Sequence, residues 1–298
     1  MSRRAAVLGH PISHSKSPLL HRAAYRELGF DADYTAIDVD VEDLRGFIAE
    51  VRRDASWCGL SVTMPLKKAM TLEVDECVGA AAELGVLNTV TFGHGPTGPR
   101  LTGHNTDVMG IVNALRHASG LDTLHGADAP ATLGRKSAVL GGGGTSAAAI
   151  AALARLGHET VRLFVRDTAR AAEAHRAAEA CGIRLEVLSY DGAAERLGES
   201  DIVISTLPPR AADPLAAALD QGVFGTELRP LLLDVAYDPW PSALADSFAR
   251  QGGIVVPGLE MLLYQAVEQV LLFTGAGADS AARVIDVMCD AVNAPRRG

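Results

Sequence analysis

The chain has 298 residues, of which 48% are hydrophobic and 21% charged, and its formal net charge is −9. That length suits two domains of ordinary size, each with enough apolar material for a core. The acidic balance excludes a typical nucleic-acid binder, which needs a basic surface, and no apolar run approaches the length of a bilayer-spanning helix.

The N-terminal MSRRAAVLGHP carries two arginines and no hydrophobic stretch of signal length, so a cytoplasmic protein is expected. Alternation of strand and helix patterns begins at once. A strand is predicted over 5–8, a helix over 18–28 stopped by Gly29, a strand over 34–39, a helix over 41–51, and a strand over 57–63 cut by Pro65. A hairpin is expected from 90–92 and 100–102 around GHGPTGP, and a helix from Asp107 to about His117. These elements make a small α/β domain. Residues 119–135, rich in Gly, Ala, Asp and Pro, read as a linker or surface insertion.

The most informative stretch is 136–170. An apolar run over 137–140 meets Gly141, Gly142, Gly143 and Gly144, an alanine-rich helical segment follows up to Gly157, and a second apolar run covers 160–165. Strand, tight turn, helix and strand in that order are the context a dinucleotide-binding turn requires. Gly141 allows the sharp turn and Gly143 allows backbone to approach a pyrophosphate. The small Ala147 and Ala148 let the helix sit close to the sheet, and its N-terminus offers free N–H groups to phosphate. Past the second strand come Arg166, Asp167 and Arg170, with no carboxylate at the strand end itself. Two guanidiniums four residues apart suit the 2′-phosphate of NADP better than the free ribose of NAD, while Asp167 could repel that phosphate or orient an arginine. Further strands at 185–188, 201–205 and 231–235, rich in Val, Ile and Leu, suit a parallel sheet covered on both faces. Helices are expected over 259–273 and 278–292. The four cysteines (Cys58, Cys77, Cys181, Cys289) show no metal or disulfide spacing and read as small buried apolar residues.

Several polar motifs are ambiguous one at a time. In GHPISHSKSP (9–18) Ser17 is placed as an N-cap, with Pro18 at the first helical position. Ser15 and Ser17 could equally bind a carboxylate at the helix start. Lys67, in SVTMPLK (61–67), reads by itself as a solvated amine like Lys68; Asp107 suits any helix start, and GVLNT (85–89) could be a mere turn. Taken together and in order, however, GHPISHSKSP, SVTMPLK, LNT (87–89), GHNTD (103–107), GGGG and PGLEMLLYQA (257–266) resemble the shikimate dehydrogenase family from end to end.

The resemblance implies reversible NADPH-dependent reduction of 3-dehydroshikimate to shikimate, in aromatic biosynthesis. It implies a substrate-binding and catalytic domain from 1–107 and 259–298, and a Rossmann-like doubly wound NADP-binding domain over 108–258. The C-terminal helices would return to the first domain, with the active site in the cleft. By motif, Lys67 and Asp107 are the implied catalytic pair. Ser15 and Ser17 would hold the substrate carboxylate, Thr63, Asn88 and Gln265 would bind the carboxylate side or ring hydroxyls, and Tyr237 would close the site. Gly141 to Gly144, Arg166 and Arg170 would hold the cofactor, and Gly258 and Met261, on one helix face with Gln265, its nicotinamide end.

Four departures stand out. Ser61 replaces the usual Asn, so that one hydrogen bond to substrate is missing or rebuilt. Val165-Arg166-Asp167 replaces Asn-Arg-Thr, Ser205-Thr206-Leu207 replaces Asn-Ala-Thr, and Ala147 replaces a common arginine. The alternatives are an NAD-dependent quinate/shikimate dehydrogenase, against which Ser17 and Val165 speak, and a non-catalytic dinucleotide sensor, in which Lys67 or Asp107 should have drifted. The expected partner is a small molecule, with no metal, nucleic acid or membrane, in a monomer or homodimer.

Overall fold

The computed structural model describes residues 3–95, 98–120, 136–221 and 229–297. They divide into two compact units, residues 1–106 with 263–298, and residues 107–262.

Unit 1 begins with β1 (Arg3–Gly9), α1 (Ser17–Leu28), β2 (Ala32–Asp38), α2 (Leu44–Val51) and β3 (Trp57–Val62). It continues through β4 (Glu76–Cys77), α3 (Ala80–Leu84), β5 (Thr89–Gly95) and β6 (Gly98–His104). The sheet is mixed, in the order β2-β1-β3-β5-β6-β4. The first three strands run parallel, whereas β5 is antiparallel to β3 and to β6. One face is covered by Leu44, Ile48 and Val51 of α2 packing on Ala6, Leu8, Leu60 and Val90. The expected strands and the 90–102 hairpin are present. The helix expected over 41–51 starts three residues later, because 41–43 form a turn.

Unit 2 opens with α4 (Asp107–Ala118) and continues β7 (Ser137–Leu140), α5 (Gly144–Arg155), β8 (Thr160–Phe164), α6 (Ala172–Cys181), β9 (Arg184–Leu188) and α7 (Ala193–Leu197). It then runs β10 (Ile202–Ser205), α8 (Asp213–Leu219), β11 (Leu231–Asp234), α9 (Ala243–Arg250) and β12 (Ile254–Pro257). The sheet is parallel throughout, in the order β12-β11-β10-β7-β8-β9. β7, β10 and β11 are buried along their whole length, which is what continuous Val, Ile and Leu require. The edge strand β12 is not among the predicted strands; its four residues alternate in exposure too briefly to leave a periodic signal.

Helix α10 (Gly258–Thr274) carries the chain from unit 2 back into unit 1, with the boundary between Leu262 and Leu263. Its far end lies on β3, the Phe273 ring filling the space above Gly59. Helix α11 (Ala281–Ala291) packs on α1. Most of the 119–135 insertion, from 121 onward, lies outside the described residues. Among the described residues no helix is long and apolar enough to cross a membrane. All four cysteines are free thiols, but only Cys289 is buried. The reading of all four as buried residues therefore fails for Cys58, Cys77 and Cys181, which are half-exposed.

Candidate active site

In unit 1 the candidate residues gather where the parallel strands end, the usual place for a ligand in an α/β sheet. The loops leaving β1 and β3 are zipped together: Thr63 N donates to Leu8 O (2.9 Å) and His10 N to Met64 O (3.1 Å). His10 Nδ1 meets Asp38 Oδ1 at 2.6 Å, and the other Asp38 oxygen accepts from the Ile12 amide (3.3 Å), so the first loop is tethered to the end of β2.

The structure corrects the role expected for Ser17. Helix α1 begins with Ser17 itself, its N-cap is Lys16, and it is Ser15 Oγ that accepts the Ser17 amide (3.3 Å). Ser17 is buried and hydrogen-bonds to the Tyr34 hydroxyl. Ser15 is half-buried beside it.

Asn88 is the hub of the site. Its Oδ1 accepts from Thr106 N (2.8 Å) and Thr89 Oγ1 (2.8 Å), and its Nδ2 donates to Thr106 Oγ1 (2.9 Å) and Gln265 Oε1 (3.3 Å). The Lys67 carbonyl accepts from Leu87 N (3.0 Å), and Asn105 Nδ2 donates to Val86 O (3.1 Å). SVTMPLK, LNT and GHNTD therefore converge on one point. Thr63 and Lys67 are half-buried there.

Three members of this cluster belong to no motif: His21, Tyr34 and Gln269. Gln269 Nε2 donates to Asn88 O (3.0 Å) and Thr89 Oγ1 (2.9 Å). Gln269 Oε1 receives Ser61 Oγ (2.8 Å) and faces His21 Nε2 (3.3 Å). Tyr34 donates to Ser61 Oγ (2.6 Å) and stacks on His21 with ring centroids 4.0 Å apart. Burial pushes the His21 imidazole down to about 3, so it stays neutral. The signal that could have exposed Gln269 is a second glutamine, four residues past Gln265, in an otherwise apolar helix.

In unit 2 Asp107 is buried at the first position of α4, directly after Thr106. The glycine turn follows β7. Gly141 has φ +105°, and a Cβ there would lie 2.6 Å from Thr206 Oγ1, so this position tolerates only glycine. Ser146 Oγ donates to Gly141 O (2.6 Å), while Thr206 Oγ1 lies 2.8 Å from both Leu140 O and Ser146 Oγ. The divergent Ser205-Thr206-Leu207 segment thus stitches the turn to β10. Gly143 is the N-cap of α5, with open space around it, and Ala147 and Ala148 are fully buried as their size predicts.

Arg166 is exposed just past β8 and lines a cavity of about 580 Å³ with Tyr190, Leu207, Ala211 and Leu215. Burial pushes Tyr190 up to about 12. Asp167 caps the turn Thr168–Ala171 through the Ala169 amide (3.0 Å). Arg170 falls in that turn, and its side chain lies outside the described ones. Beyond β11, buried Asp234 accepts from Ser242 Oγ (2.6 Å) and shapes the segment that carries half-buried Tyr237; burial raises its carboxyl above the ordinary range. Gly258 opens α10 so close to β11 that a Cβ would overlap the Val235 carbonyl, which alone accounts for a glycine there. Met261 is buried one turn further on, and Gln265 lies in unit 1.

Residues 7–90 match the family model described as the shikimate dehydrogenase substrate binding domain. The shikimate dehydrogenase (NADP(+)) of Rubrobacter xylanophilus is 36% identical over 93% of this chain and 92% of its own. The chain belongs to the shikimate dehydrogenase family. A solved shikimate dehydrogenase from Mycobacterium fortuitum matches with a TM-score of 0.76 and 36% identity, over 98% of both chains. One from Thermus thermophilus, in complex with NADP(H) and shikimate, matches with a TM-score of 0.76 and 30% identity, over 97% of this chain and 99% of that one. Ser61 is the first of the four departures from the family pattern expected from the sequence. It is buried, and its hydroxyl is engaged by Tyr34 and Gln269.

Proposed function

We propose that this chain catalyses the reversible, NADPH-dependent reduction of 3-dehydroshikimate to shikimate, within chorismate and aromatic amino acid biosynthesis. The observation that carries this reading is end-to-end relatedness to NADP(+) shikimate dehydrogenases in a chain that keeps Ser15, Ser17, Lys67, Asn88, Asp107 and Gln265. The reaction is cytoplasmic and the enzyme is a monomer or homodimer.

The substrate is a small polyol acid. Ser15 and Ser17 take its carboxylate, and Thr63, Asn88 and Gln265 take its carboxylate side or its ring hydroxyls. A ketone that accepts hydride becomes an alkoxide, so a donor must stand within hydrogen-bond reach of that oxygen. Lys67 fills this role: its ammonium stabilises the developing charge and supplies the proton, and in the reverse direction its amine takes the proton from the alcohol. Asp107 orients the reacting hydroxyl. Tyr237 closes over the ring.

The residues present fit a dinucleotide. The turn at Gly141, the unfilled space at Gly143 and the N-terminus of the twelve-residue helix α5 make a phosphate cradle at the point where strand order reverses between β7 and β10. The largely apolar cavity behind Arg166 suits an adenine. Arg166 and Arg170 take the 2′-phosphate, and Gly258 and Met261 border the nicotinamide. NADPH, when bound, supplies the hydride.

Steady-state kinetics with shikimate and quinate against NADP+ and NAD+ test the reading. Turnover of shikimate with NADP+, far exceeding the other combinations, is the expected result. Preference for quinate with NAD+ would reassign the enzyme to catabolism, and binding of NADPH without turnover of either acid would make it a sensor.

A further inference from the structure

Gln269 is 1% exposed and makes four hydrogen bonds, to Asn88, Thr89, Ser61 and His21. The orientation of its amide is fixed by chemistry. A backbone carbonyl only accepts, so the group 3.0 Å from Asn88 O is the NH2, and Oε1 faces the other way. From that point each proton has one place to go. Ser61 spends its hydroxyl proton on Gln269 Oε1, so its oxygen accepts from Tyr34 (2.6 Å). Tyr34 spends its own proton there, so its oxygen accepts from Ser17. His21 must be the Nε2–H tautomer to donate to the same Oε1 (3.3 Å). On the other side Thr89 accepts from Gln269 (2.9 Å) and hands its proton to Asn88 Oδ1 (2.8 Å). One amide thus joins two chains of bonds. One ends at Ser17 and the other ends at Asn88.

We propose that Gln269 is a positioning residue for substrate binding: it ties Asn88 to Ser17 through Ser61 and Tyr34, and so fixes the span between two groups that hold the substrate. The proposal rests on the functional reading above, which makes both Ser17 and Asn88 substrate ligands. The residues joined come from α1, β2, β3, β5 and α10, all within unit 1, and are fully or almost fully buried. A loose member would therefore cost an unsatisfied polar group, which holds the arrangement to one geometry.

The test is Gln269→Met, which keeps length and volume and removes every hydrogen bond. Full steady-state kinetics, with NADP+ binding measured separately by quenching of protein fluorescence, separate positioning from mere support. Loss of one or two buried hydrogen bonds that align substrate raises KM for shikimate about five- to tenfold. The turnover number stays within about threefold and the affinity for NADP+ within about twofold, since the phosphate turn lies in the other unit. A purely structural role would reduce the active fraction, lowering apparent kcat and leaving KM unmoved; that result, or an unchanged enzyme, overturns the proposal. Ser61→Ala supplies a second arm should Gln269→Met fail to fold. It is expected to raise KM for shikimate about threefold, and to add nothing further in the Gln269→Met background, because both act through one bond. No rise, or a fully additive one, overturns the proposal. A wild type that neither binds nor oxidises shikimate overturns the functional reading, and the proposal with it.

Discussion

Replacing Gly143 by alanine should separate the folding of the phosphate turn from its use. Gly143 has φ −94° and ψ −170°, an extended conformation open to any residue, and no atom lies within 4 Å of where a Cβ would stand. Alanine there restricts the unfolded chain, a gain of about 0.4–1 kcal/mol. It is also a poorer N-cap than glycine, by about the same amount. The two effects nearly cancel, so urea unfolding should give a stability within about 0.5 kcal/mol of wild type. The added methyl nevertheless fills the space through which a pyrophosphate reaches the amides of α5. Loss of one charge-assisted hydrogen bond costs about 1.5–3 kcal/mol, which weakens NADPH binding roughly 10- to 150-fold by fluorescence titration. Gly141→Ala is the contrast, because φ +105° and the 2.6 Å approach to Thr206 Oγ1 put strain on the turn itself. It should lose about 2–4 kcal/mol of stability. A Gly143→Ala protein that is as stable as wild type and binds NADPH within about twofold of it would refute the idea that phosphate sits on this turn.

Three further outcomes are expected. Lys67→Met should lower kcat by about a thousandfold, the usual scale for a general acid with electrostatic duty, while the dissociation constant of shikimate, from equilibrium binding, changes less than about tenfold. Arg166→Ala should weaken NADPH about tenfold and NADH hardly at all in parallel titrations, as loss of a contact specific to the 2′-phosphate requires. His10→Asn should show pH-dependent destabilisation. Asp38 raises the His10 pKa above 6.5, so that share of the stability is complete below 6.5 and fades as pH rises through the raised value. His10 lowers the Asp38 pKa below 3.8, so its share is present above 3.8 and fades as pH falls through the lowered value. The difference in unfolding midpoint between wild type and variant should therefore be widest between pH 3.8 and 6.5, and shrink on both sides.

Where the sequence carried a period it was readable. Continuous Val, Ile and Leu announced the buried parallel strands, and the glycines before an alanine-rich helix announced the phosphate turn. Short elements without room for a period, such as β4, α3 and β12, left no trace. Ser17 had the right chemistry for a cap and the wrong register, because Ser15, two residues earlier, takes the amide instead. The polar cluster was half legible. Asn88 and Gln265 belong to motifs, but Tyr34 and Gln269 look like ordinary strand and helix residues until the fold brings them together. Ser61 and Gln269 are 208 positions apart, and no local pattern encodes a bond of that reach.

The division of the chain also orders its synthesis. Unit 2 is a single continuous run, 107–262, and has all its strands as soon as that run is made. Unit 1 has its whole sheet by then but lacks Gln265, Gln269 and the helix that packs on α1, all of which come from 263–298. On the ribosome, the half-built lobe must wait with Asn88 and Ser61 uncovered while its neighbour matures. A chain truncated after residue 262 and released should thus protect the nucleotide lobe from protease and leave the first hundred residues open to it.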